Sequence, residues 1–305
     1  MEEKLNKLLV EANKILLGKK SELEIALSCI ISGGHLLIED VPGVGKTTLV
    51  YLISQLLGLK LSRIQFTNDL LPSDILGTAI YKKDSEDFEF RKGPIFGEMI
   101  LADELNRATP KTQSALLQAM EEGRVNIERE EFVLDFPFII VATQNPFYQI
   151  GTYQLPESQI DRFHMSLFLN FPERDYEKQI LLQKNTMEQI STLESILCKE
   201  DLKTIRKEID EITAKDSLLN FILDLMEKGR STLEEGVYLS PRAARDLLIA
   251  AKAIAYIRGV DFVTPDHVQR VAPYVLGHRL GGMKGIVHGQ KLVDSLIKQV
   301  PIASA

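Results

Sequence analysis

Three short stretches carry residues whose types and spacing could do chemistry together. In "LLIEDVPGVGKTTLV" (36–50) an apolar run ends in a glycine-rich turn, followed at once by a lysine and two hydroxyls. Backbone N–H groups freed by glycine can curl around phosphate oxygens at the start of a helix. Pro42, Gly43, Val44 and Gly45 would form that loop and Lys46 would reach the outer phosphates. Thr47 would offer its hydroxyl to Mg²⁺, and Thr48 would carry the turn into the helix. The strict pattern G-x-x-x-x-G-K-[ST] fails at its first position, where Asp40 stands in place of glycine. That position ends the strand and turns the chain, so a short polar residue can serve there. Its carboxylate should point away from the phosphates.

The second stretch is "MILADEL" (99–105), four apolar residues and then adjacent acids, with Asp103 57 residues after Lys46. Asp103 at the end of a buried strand would hold Mg²⁺ through water. Glu104 would sit far enough out to orient and deprotonate an attacking water. The third is "FIIVATQNP" (138–146), where Asn145 closes another central strand. An amide there can hydrogen-bond both a γ-phosphate and the water, and Thr143 and Gln144 are neighbours able to do similar work. A hydrophobic run with "DE", or an Asn-Pro turn, is weak evidence singly. The combination is specific because parallel sheets gather ligands at the carboxyl ends of their strands. No N-K-x-D element appears, so ATP is the expected nucleotide.

The elements that must position these residues are legible in the patterning. Strand-like apolar runs at 35–40, 59–66, 98–105, 138–146 and 165–171 alternate with helical patterns, predicting a parallel five-stranded sheet covered on both faces. A helix follows Thr109, with Pro110 in its first turn and Gly123 as its stop. Alternating segments at 78–93 and 124–137 predict two β-hairpins, the second with a polar tip at Glu128 to Glu131. After "NFPERD" (170–175) the pattern turns helical, with segments near 174–187, 191–212, 216–230, 240–258, 264–276 and 289–299. The expected division is an α/β core over 1–172 and an all-helical domain over 173–305.

Composition narrows the classes. The 305 residues are 45% hydrophobic and 26% charged with a formal net charge of −7, ordinary for a soluble globular chain and poorly suited to nucleic acid as main partner. No apolar run reaches membrane-spanning length, so no stable membrane insertion is expected. The first residues carry acids where a signal peptide has positive charge, which places the chain in the cytoplasm. Cys29 and Cys198 each lie within an apolar helical pattern, which argues against a disulfide or a metal site.

Taken together, these motifs resemble the AAA+ ATPases, and more closely the MoxR family. The resemblance spans nearly the whole chain and rests on "GGHLLIEDVPGVGKTTL", "RIQFTNDLLPSDILGT", "GPIFGEMILADELNRATPKTQSALLQAMEEGRV", "ATQNPFYQIGTYQLPESQIDRF" and "LSPRAARDLLIAAKAIAYIRGVDFVTPDHV". It implies a P-loop three-layer core with β-hairpin inserts and a C-terminal helical lid. It also implies a homo-oligomeric ring, hexameric by family habit, with ATP held between subunits. Arg162 of "DRF" resembles the arginine finger that reaches a neighbour's γ-phosphate, a role suited to an always-charged, forked donor. Arg242 of "SPRA" resembles the sensor-2 arginine of the lid, able to swing onto the γ-phosphate; its plain alternative is pairing with Asp246. Family members commonly work with von Willebrand factor A domain proteins in maturation or chaperone-like remodelling of clients.

The same branch contains DNA motors, so the hairpins matter. A hairpin gripping phosphates should carry a basic tip. One tip reads Glu128, Arg129, Glu130, Glu131, net negative, and the charges of the other insert cancel. Both suit protein contact or solvation rather than DNA. Phe147, Tyr148 and Tyr153 could form a stacking surface or pack the loop on the sheet, and the acidic run 233–236 reads as solvated. The competing functions are a DNA-acting AAA+ motor and a non-hydrolysing nucleotide-gated scaffold.

Overall fold

The uninterrupted apolar runs form the middle of one parallel sheet. In the computed structural model, which describes residues 1–301 except 84–85, 128–129, 146–150, 184 and 233–238, the strands follow in chain order. They are β1 (Leu36–Glu39), β2 (Leu61–Gln65), β3 (Gly77–Lys82), β4 (Asp87–Lys92), β5 (Met99–Asp103), β6 (Arg124–Ile127), β7 (Glu130–Val133), β8 (Ile139–Gln144) and β9 (Met165–Leu167). The five-stranded sheet has the order β2-β5-β8-β1-β9. Its pairings are all parallel, so every strand ends at the same edge. β1, β5 and β8 are buried along their whole length because helices cover both faces. The readings placed on Phe147, Tyr148, Glu128, Arg129 and 233–236 lie outside the described residues.

Helices α1 (Glu2–Ile15), α2 (Lys20–Ile31), α3 (Lys46–Leu56), α4 (Pro72–Leu76), α5 (Pro110–Glu122) and α6 (Glu157–Ile160) accompany the sheet. The later chain forms α7 (Arg174–Leu182), α8 (Thr186–Ser191), α9 (Lys199–Glu211), α10 (Asp216–Thr232), α11 (Pro241–Ile257), α12 (Pro265–Gly281) and α13 (Ile286–Ile297). Two of the predicted segments are shorter than their patterns. The pattern over 174–187 divides into α7 and α8, and that over 191–212 begins only at Lys199. Residues 192–198 are not helical because tertiary contacts take their backbone: Ile196 and Leu197 both donate to the Leu56 carbonyl at the end of α3.

Both predicted hairpins are present as antiparallel pairs, β3 with β4 and β6 with β7. They lean on each other through Phe90 and Phe132, whose ring centroids lie 4.3 Å apart, with Phe96 edge-on to both. Packing does not stop at residue 172. Leu23 and Leu27 of α2, Leu202 and Ile205 of α9, and Ala250 and Ile254 of α11 belong to one apolar core.

Candidate active site

The glycine-rich turn leaves the end of β1 and enters α3. Gly43 and Gly45 hold φ of 88° and 94°, a left-handed conformation that side chains disfavour. A Cβ at Gly43 would meet nothing within 4 Å, so conformation rather than space requires glycine there. Lys46 Nζ donates back to the carbonyls of Asp40 and Val41 at 2.5 and 3.1 Å, arching over the loop. Partial burial draws its ammonium below the ordinary value, while Asp40, Asp103 and Glu104 act in the opposite direction. Pro42 is exposed, whereas Val44 is buried beneath the turn.

Asp40 is fully buried and occupied elsewhere. Oδ1 accepts from its neighbour Val41 N at 2.7 Å. Oδ2 accepts from Leu169 N and Asn170 N at 2.6 and 2.7 Å, where the chain leaves β9. The carboxylate therefore ties the start of the loop to the exit of the sheet. Glu39 beside it is buried too, accepting from Gln144 Nε2 at 2.6 Å and from Ile286 N at 3.1 Å. Desolvation pushes its carboxyl above the ordinary range.

The paired acids stand at the end of β5, one strand from β8 and next to β2. Asp103 accepts from Thr143 Oγ1 at 2.7 Å and from Arg63 Nη2 at 2.7 Å. Glu104 holds φ of 58°, unusual for a side-chain-bearing residue, and donates its N–H to Thr143 Oγ1 at 2.8 Å. This turn carries the Glu104 carboxylate out of the sheet. There Gln65 Nε2 and Arg107 Nη1 reach Oε2 at 2.9 and 2.8 Å, and Asn145 Nδ2 reaches Oε1 at 3.3 Å. Asn145 is in turn fixed by buried Asn106, which bonds both its N–H and its carbonyl. Of the three polar neighbours at the end of β8, Thr143 serves the acids, Gln144 serves Glu39, and Asn145 faces Glu104.

A cavity of about 560 Å³ opens beside the loop, lined by Gly43 and Gly45 on one side and by Leu16, Leu17, Phe171 and Ile180 on the other. Its size and apolar lining suit a planar heterocycle next to a phosphate site.

The two arginines lie elsewhere. Arg162 precedes β9, and its neighbour His164 donates to the carbonyl of His35, which precedes β1. Arg162 is therefore at the amino edge of the sheet, while Lys46 is beyond the carboxyl edge. β1 alone separates the two edges by about 13 Å. Arg242, in the first turn of α11, sits with Arg162 and does not pair with Asp246. Glu121 at the end of α5 takes Arg162 Nη2 on Oε2 at 2.8 Å and Arg242 Nη2 on Oε1 at 2.6 Å. Asp246 instead binds Arg279, which also grips Asp161 at 2.7 Å.

The fold thus gathers Lys46, Asp103, Glu104 and Asn145 at one edge and Arg162 with Arg242 at the other. Sequence reading missed Arg63, Gln65, Asn106 and Glu121. For Arg63 and Gln65 a signal existed: polar residues at alternate positions of "LSRIQF" point to one face of a strand. For Glu121 none did, since nothing local sets one helix-end acid apart from Glu122.

Comparison with known proteins gives the family and agrees with the fold. The model of the "ATPase family associated with various cellular activities (AAA)" matches residues 35–165, and that of the "AAA lid domain" matches residues 230–296. The chain is 36% identical to Chaperone MoxR1 of Mycobacterium tuberculosis, covering 90% of this chain and 75% of that one. It belongs to the MoxR family of AAA+ ATPases. It is also 42% identical to the uncharacterized protein YeaC of Bacillus subtilis, over 90% of this chain and 86% of the relative. A solved protein of Cytophaga hutchinsonii, described with its structure as a candidate ATPase, superposes with a TM-score of 0.84 at 36% identity. That alignment covers 99% of this chain and 96% of the other. The loop after β1, the acids at the end of β5 and the amide after β8 share the carboxyl edge of the sheet.

Proposed function

We propose that this MoxR-family chain hydrolyses ATP with Mg²⁺ at the interface between copies of itself in a ring, hexameric by family habit, and uses the cycle to remodel client proteins. The observation that carries the reading is the division of charged groups between opposite edges of one sheet. A single chain has a phosphate loop, paired acids and an amide at one edge, yet its two arginines lie at the other. In a ring, the arginines of a second copy would complete the loop.

In this reading backbone N–H groups of Gly43, Val44 and Gly45 and the Lys46 ammonium hold the phosphates. The cavity beside Phe171 and Leu16 takes the base. Thr47 would offer Mg²⁺ its hydroxyl and Asp103 would hold the ion through water; the guanidinium of Arg63 beside Asp103 supports a place for positive charge there. The bound ion would neutralise charge on the phosphates. Glu104 takes the proton of the attacking water once Gln65 and Arg107 release Oε2, and Asn145 orients that water. Arg162 and Arg242 meet charge developing on the neighbour's γ-phosphate. Residues 1–172 act as the core and 173–305 as the lid that presents Arg242.

The name of MoxR1 supports a chaperone-like role, and a von Willebrand factor A domain protein is the expected partner in the cytoplasm. The hairpins support a protein client: they expose Ile80, Tyr81, Phe88 and Val133, and the exposed cations Lys82, Lys83, Arg91 and Lys92 share their hairpin with acids such as Glu89. Nucleic acid is not the expected substrate.

The test is a pair of variants. Glu104→Gln should bind ATP as the wild type does and lose turnover by a factor of about 10² or more. Lys46→Ala should lose binding itself. Phosphate release by Glu104→Gln at the wild-type rate would refute the assignment of the base.

A further inference from the structure

We propose that Glu121 is a positioning residue for ATP hydrolysis: it holds Arg162 and Arg242 together as one two-guanidinium head presented to a neighbouring chain's nucleotide. The role rests on the across-interface reading above and adds a residue to it.

Three separate elements converge on this carboxylate. Glu121 comes from the last turn of α5, Arg162 from the chain between α6 and β9, and Arg242 from the first turn of α11. Each carboxylate oxygen takes one arginine, at 2.8 and 2.6 Å. Surface ion pairs are usually worth little because two long side chains must be ordered and water screens the charges. Here the ordering is shared. The root of Arg162 is fixed by the preceding residue, since Asp161 accepts from Arg279 Nε at 2.7 Å and from Ser240 Oγ at 2.9 Å. The root of Arg242 is fixed by α11, whose Ser240 cap accepts from Ala243 N. Glu121 then needs only to fix the two tips.

What suits presentation is the supply of unused donors, not an excess of charge. Arg279 is shared between Asp161 and Asp246, and Arg242 Nη1 lies 4.0 Å from Asp161 Oδ2, so the three arginines and three acids of the cluster balance. A guanidinium carries five N–H donors, and the contact with Glu121 engages Nη2 of each. The remaining donors can meet phosphate oxygens while the carboxylate stays in place. Without it, two like charges repel and each side chain regains its rotamers, so the head no longer arrives as a unit. The arginines also hold the Glu121 carboxyl below its ordinary range, with the Arg242 hydrogen bond the largest cause, so it is ionised at neutral pH.

The experiment compares Glu121→Gln, Glu121→Asp, Arg162→Ala and Lys46→Ala, alone and mixed in pairs, by nucleotide binding and steady-state phosphate release. Glu121→Gln should bind ATP within twofold of wild type, because its own loop lies at the far edge, and should lose roughly ten- to hundredfold in kcat. Glu121→Asp, which keeps the charge and shortens the reach, should regain part of that loss. Mixing Glu121→Gln with Lys46→Ala should restore activity above the sum of the two alone, since the Lys46→Ala chains bring an intact head to intact loops. Wild-type turnover in Glu121→Gln overturns the role, as does equal loss in Glu121→Gln and Glu121→Asp. So does recovery of the Arg162→Ala mixture but not of the Glu121→Gln mixture, which leaves the across-interface reading standing. Wild-type turnover in Arg162→Ala, or no recovery in either mixture, overturns that reading and the role of Glu121 with it.

Discussion

Asp40 shows how far a single residue can mislead when judged by pattern alone. Against the strict loop pattern it is a defect, yet its carboxylate accepts from three backbone N–H groups, of which that of Leu169 is buried. Restoring the pattern should therefore do harm. Asp40→Gly is expected to destabilise the fold by about 2 kcal/mol, chiefly the cost of leaving the buried Leu169 amide unpaired, and urea denaturation against wild type would measure it. His35 supplies a second residue-scale prediction. It is buried, accepts from Ile140 N through Nδ1, and desolvation lowers its pKa from 6.5 to about 4. The unfolded imidazole takes a proton below about 6.5 while the folded one stays neutral down to about 4. In that window the unfolded state binds more protons, so stability present above pH 6.5 is lost as pH falls. This one group accounts for on the order of 3 kcal/mol at the acid end. Buried His278 acts in the same direction. His35→Asn should flatten the decline in melting temperature between pH 6.5 and 4.5, leaving the part due to His278 and to His267, which burial also shifts down.

Among the elements, α7 is anomalous. It has no buried residue, and Leu181 and Leu182 are 85% and 80% exposed although the helix borders the cavity beside the phosphate loop. In the ring proposed above, the amino edge of a second copy must come up to that cavity, and α7 is the surface it would meet. Replacing Leu181 and Leu182 together by Asp should leave the melting temperature of the isolated chain unchanged and weaken ATP-dependent assembly at least tenfold. Sedimentation velocity with and without nucleotide reads both species, and unaltered assembly would remove α7 from the interface. The hairpins illustrate the opposite case: the alternation of "RVNIEREEFVLDF" gave the strands, but their mutual support through Phe90 and Phe132 joins segments 42 residues apart.

At the scale of the molecule, the change from α/β to helical patterning at residue 172 reads in sequence as a folding boundary, yet α2 packs into one core with α9 and α11. A chain ending at 172 would expose the apolar face of α2 to water, so it should show no cooperative thermal transition by circular dichroism; the full chain should unfold with its sheet and helices lost together. The sequence by itself determined the local chemistry: the glycines that free the loop, the acids and amide that end apolar strands, and the family those motifs belong to. These were legible because each depends on neighbours within a few residues and on one repeating rule, that parallel strands end at a common edge. Which donors hold Glu104, where Asp40 turns, and that Arg162 and Arg242 share Glu121 were decided only by the tertiary structure. Apart from Arg107 on Glu104 and Val41 on Asp40, those contacts join residues 39 to 130 positions apart, and nothing in local spacing fixes which distant side chain arrives.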